Sequence, residues 1–144
     1  MKLDKDVKYI VIHCSATPPS MDIGADTIDK WHKQRGWNGI GYHDVIRRNG
    51  HLEYGRNVDT MGAHVKGYNH TSVGICLIGG INKDGTPENN FTDEQFKTLA
   101  RSIGFFKSLY KNAKVAGHRE LDKSKACPSF DVQAWLKEER EKHD

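Results

Sequence analysis

Two stretches of the chain are apolar without alternation. Tyr9 to Cys14 and Val73 to Ile78 are short, rich in β-branched residues and bounded by polar sequence, which predicts strands buried on both faces. Ala25 to Arg35 has the other period. Ile28, Trp31 and His32 recur at three- and four-residue spacing and Gly36 sits where a helix would end, predicting an amphipathic helix with His32 as a packing residue. A glycine-rich turn, residues 37 to 41, leads into a predicted strand from Tyr42 to Arg47. Asn49-Gly50 then makes a hairpin turn into His51–Tyr54. Residues 62 to 70 have no period and read as a long loop.

The strongest local signal is Phe91-Thr92-Asp93-Glu94-Gln95-Phe96. Thr92 and Gln95 form a capping box, and Phe91 can staple onto Phe96. The helix continues along the stripe Leu99, Ile103, Phe106 and Tyr110. Lys114–Gly117 is a short strand ending at His118, and a last helix, 132 to 141, buries Val132, Trp135 and Leu136. The expected fold is therefore α/β: a single domain with a central mixed β-sheet flanked by about three helices. Parallel neighbours would bring the strand ends at His13 and His118 side by side.

Composition narrows this little. With 144 residues the chain is one domain, residues 1–144, with no separate wall-binding module expected. A net charge of +3 with no basic stripe excludes a nucleic-acid signature, and no apolar run reaches membrane-spanning length. The charged start, Met1 to Asp6, lacks a signal-peptide core, so synthesis in the cytoplasm is expected, with action elsewhere after release or export by another route. Three cysteines argue against a disulfide framework.

The chemistry concentrates between Gly117 and Asp131. His118 precedes Cys127 by nine residues, a loop able to bring an imidazole and a thiolate to one zinc ion. His13 is the best third ligand, although alone it also reads as a buried, hydrogen-bonded core histidine. Alternation turns Cys14 away from it, and Cys14 and Cys76 are assigned to the core. Three ligands leave one coordination position open, as in a hydrolytic site, and there is no H-E-x-x-H helix to supply a base. Tyr42 and Lys125 could reach that position, although each alone also reads as a packed tyrosine or a surface lysine. By alternation, only one of Tyr42 and His43 should face a given site.

These pieces resemble one family. Residues 11–17 (VIHCSAT), 41–43 (GYH), 62–70 (GAHVKGYNH), 73–80 (VGICLIGG) and 125–131 (KACPSFD) are similar to the zinc N-acetylmuramoyl-L-alanine amidases of type 2, which include amidase-type phage lysozymes and are related to peptidoglycan recognition proteins. The resemblance implies that His13, His118 and Cys127 bind one Zn2+ and that Tyr42 and Lys125 are the catalytic pair. It implies that the loop carrying His64 and Asn69 contacts substrate. The implied partner is peptidoglycan, without nucleic acid or membrane, and the implied state is a monomer of phage or prophage lysin type.

The main rival is a module that binds peptidoglycan without cutting it. Noncatalytic relatives typically lack the metal-binding cysteine, whereas Cys127 is present here along with Tyr42 and Lys125. A structural zinc domain would need a fourth ligand, and none is in view. A glycosidase would need two flanking carboxylates, and Glu53, Asp59, Glu120 and Asp122 are not framed as a pair.

Overall fold

In a computed structural model describing residues 1–143, the elements follow the order β1 (Tyr9–Cys14), α1 (Ala25–Gln34), β2 (Asp44–Ile46), β3 (Leu52–Tyr54), β4 (Ser72–Leu77), α2 (Asp93–Leu109), β5 (Lys114–Gly117), α3 (His118–Leu121) and α4 (Val132–Lys142). The five strands form one mixed sheet in the order β3-β2-β4-β1-β5. β1 lies parallel to both β4 and β5, and the β2–β3 hairpin adds the antiparallel pair.

Register decides which face each side chain takes. Val11 pairs with Gly74 and with Ala116, and His13 pairs with Cys76. Cys76 of this row and its neighbour Val45 pack with Ile28 of α1, Ile40 and Ile78. The opposite row, including Ile10, Ile12, Ile46, Val73, Ile75 and Leu77, meets Leu99, Ile103 and Phe106 of α2 and Val132 of α4. A continuous apolar run is what a strand covered on both faces requires.

The capping box forms as expected. Thr92 Oγ1 accepts from Gln95 N at 3.1 Å, and Gln95 Oε1 accepts from Thr92 N at 3.0 Å. The Phe91 and Phe96 rings stand 6.0 Å apart. Gln95 also reaches into the core, where its Nε2 donates to the carbonyls of Ile46 at 3.1 Å and Ile78 at 2.9 Å. A polar side chain so deep is tolerated because its amide atoms have partners.

Two expectations change. His118 does not end a strand but opens the single-turn α3, a fourth helix, after β5 stops at Gly117. The second strand is shorter than 42–47, since sheet pairing with β4 starts at Asp44. Of the adjacent pair Tyr42 and His43, the Tyr42 ring lies 5.0 Å from His13, whereas the His43 ring lies farther back, 5.8 Å from His64.

Candidate metal centre

β1 and β5 run parallel, so their C-terminal ends stand together. There His13, His118 and Cys127 offer one ligand atom each, all within 4.8 Å of one another. No other trio of His, Cys, Asp or Glu among the described residues converges this closely. His13 is almost wholly buried, whereas His118 and Cys127 are half-buried.

The two C-terminal ligands are tied together by backbone. Arg119 N donates to Cys127 O at 2.8 Å, which folds the loop back on α3. At Gly117 a Cβ would come within 3.0 Å of Pro128 Cδ, so the residue before His118 leaves room for that return. Phe130 anchors the loop from the far side, with its ring 5.3 Å from Phe96 and 5.7 Å from Phe91. Burial of such a ring contributes ~2 kcal/mol or more, enough to hold a short loop in place.

The electrostatics favour a cation. Burial lowers the pKa of His13 well below 6.5, helped by the neighbouring rings of His64, His118 and His43, so the ring is neutral. Burial also lowers His118, with the Lys125 charge pushing the same way and Asp122 opposing. Cys127 Sγ accepts from Cys14 N at 3.1 Å. The proximity of the two thiols lowers Cys14 to about 7, while the neighbouring Cys14 and burial push Cys127 up. Adjoining thiols resist carrying two charges. We assign the anion to Cys127 when a cation is present, because it receives the main-chain amide and faces both imidazoles. Two neutral imidazoles and an amide-supported sulfur are a donor set suited to zinc.

Cys14 is buried and stands outside the trio, and Cys76 is fully buried. His32 is a packing residue whose Nδ1 accepts from Gly41 N at 2.9 Å and whose ring stacks 4.5 Å from Trp37. Burial is the first cause raising the Tyr42 phenol well above 10, followed by the thiols of Cys76, Cys127 and Cys14. Lys125 is exposed on the loop between His118 and Cys127, with its backbone N donating to Asp122 O at 3.1 Å.

His64 turns its ring inward, and the half-buried Asn69 spends its side-chain oxygen on the loop's own backbone. His64 is buried, with Nδ1 2.8 Å from His13 Nε2. Asn69 Oδ1 accepts from the backbone N of His64 and of Val65, both at 2.9 Å. Asn69 thus satisfies the loop's own backbone, which a sequence without period could not reveal. One signal was present: an isolated glycine inside an apolar strand, Gly74, marks a close approach. A Cβ there would fall 2.7 Å from His64 Nδ1.

Known proteins agree with this architecture. Residues 3–130 match the family described as N-acetylmuramoyl-L-alanine amidase. The endolysin of Enterobacteria phage K11 is 47% identical over 133 residues, covering 92% of this chain and 87% of that protein. The solved N-acetylmuramoyl-L-alanine amidase LysC from Clostridium intestinale superposes with a TM-score of 0.80 at 26% identity, over 98% of this chain and 91% of that one. Peptidoglycan recognition protein-LE, solved in complex with tracheal cytotoxin, a monomeric diaminopimelic acid-type peptidoglycan, superposes with a TM-score of 0.72 at 27% identity, over 89% and 77%. The chain belongs to the N-acetylmuramoyl-L-alanine amidase family.

Proposed function

We propose that this protein is a zinc-dependent amidase that hydrolyses the bond between N-acetylmuramic acid and L-alanine in peptidoglycan. The observation that carries the reading is the convergence of His13, His118 and Cys127, a hydrolytic rather than a closed ligand set, in a member of an amidase family. Bound there, zinc supplies Lewis-acid polarisation of a carbonyl and acidification of water.

The chain's own residues do the rest. Tyr42 stays a phenol because burial opposes its ionisation, so it donates a hydrogen bond or proton and does not act as a base at neutral pH. Lys125, beside His118, brings positive charge to the oxygen on which negative charge develops; one such donor is typically worth ~3 kcal/mol. These two are the donors available to the leaving amine. His64 and Asn69 act on the substrate indirectly, by shaping the loop from within.

Digestion of purified peptidoglycan tests the reading. It should release peptides with a new free L-alanine amine and no new reducing ends, stop on chelation and resume with zinc. Binding without release would favour the recognition module, and new reducing ends would mean a glycosidase.

A further inference from the structure

We infer that His64 is a positioning residue that fixes the tautomer of His13 and so presents His13 Nδ1 to the metal. This rests on the zinc reading above.

The argument follows protons along a chain of buried groups. The Ser72 hydroxyl donates to Tyr68 O at 2.8 Å, which commits its only proton. The contact between Ser72 Oγ and His64 Nε2, 3.3 Å, must then be a bond donated by His64 Nε2–H. A neutral ring with its proton on Nε2 has a lone pair on Nδ1. That lone pair faces His13 Nε2 at 2.8 Å, so His13 carries its proton on Nε2 and donates it. His13 Nδ1 is left bare on the side of Cys127, whose Sγ lies 3.8 Å away. The reverse polarity would give up the 2.8 Å bond from Ser72 to the Tyr68 carbonyl and leave that oxygen only its longer bonds from Thr71. The first direction keeps the shorter bond.

The fold is built around this imidazole. A Cβ at Gly62 would come within 2.6 Å of His64 Cδ2, and one at Gly74 within 2.7 Å of Nδ1, so both positions are open for the ring. Asn69 clamps the backbone of His64 and Val65. Behind the ring, His43 Nδ1 accepts from Gly74 N at 3.0 Å and its Nε2 donates to Thr60 O at 2.7 Å, holding both sides of the slot. The seemingly aperiodic loop 62–70 thus serves to seat one ring behind a ligand. Partners of this kind orient ligating histidines and raise their basicity.

Long-range proton–nitrogen correlation spectra of the zinc-free wild type should show His13 as the Nε2–H tautomer. In competition with a chromophoric chelator, His64→Ala should bind Zn2+ ~10–100-fold more weakly, and His64→Asn, whose amide oxygen can stand where Nδ1 stood, should recover most of the loss. His13 found as Nδ1–H would overturn the inference, and so would His64→Ala binding Zn2+ like wild type or His64→Asn being no better than His64→Ala. The wild-type spectrum decides the matter even where a variant does not fold. A wild type that takes up no Zn2+ would defeat the metal reading, while the tautomer would still report on the relay.

Discussion

The backbone amide of Cys14 lies 3.1 Å from Sγ of Cys127, so the residue following one ligand supports another that is 113 positions away. This support comes from the main chain and survives replacement of the Cys14 side chain. Cys14→Ala and Cys76→Ala should therefore retain about one zinc per chain, whereas His13→Ala, His118→Ala and Cys127→Ala should lose it. Metal analysis of the five purified variants decides this. Loss of zinc from Cys14→Ala with retention in Cys127→Ala would show that the wrong thiol has been assigned.

Tyr42→Phe and Lys125→Ala should keep their zinc and fold yet turn over at least ~100-fold more slowly, because each removes a donor used in the transition state. The loss should appear in kcat rather than KM. Two variants with ordinary turnover would take both residues out of the mechanism.

The zinc-free protein should lose stability on acidification below about pH 6.5. Burial first, then the charge of His43, holds His64 at about 3, and burial lowers His43 as well. An unfolded chain takes up protons near pH 6.5 that the folded chain refuses, so stability is fully present above that value. It is lost as pH falls toward the folded pKa, by ~1.4 kcal/mol per pH unit for each such histidine. Chemical denaturation at pH 7.5 and pH 5.5 measures the slope; equal or greater stability at the lower pH contradicts it.

Gln95→Leu should destabilise the protein by ~2 kcal/mol, since it removes two buried hydrogen bonds and leaves the Ile46 carbonyl only its bond from Ile78 N and the Ile78 carbonyl only its bond from Arg48. Thr92→Ala should cost only ~1 kcal/mol, the ordinary loss of a cap. Neither should change zinc stoichiometry. Equal losses in the two would show that the buried amide is no more than part of the cap.

What could be read in the sequence was whatever is local. The capping box, the two apolar strands and the hairpin depend on neighbours a few residues apart, and each formed. The convergence of His13, His118 and Cys127 was legible because zinc chemistry restricts the residue types to look for and parallel strands supply a meeting point. The burial of His64 was not legible because Gly62 and Gly74 open its slot from separate segments, a relation that no spacing encodes.

The ligand loop has a mechanical consequence. A single ion joining His13 to Cys127 would cross-link positions 114 apart and enclose most of the chain in one ring. By analogy with a disulfide closing a loop of that size, such a link would remove ~5 kcal/mol of freedom from the unfolded chain. Losing the ion would then loosen first the segment from α3 to Phe130, which would keep only its few hydrogen bonds and the Phe130 anchor, so a cation bound there would also act as the clasp of that loop.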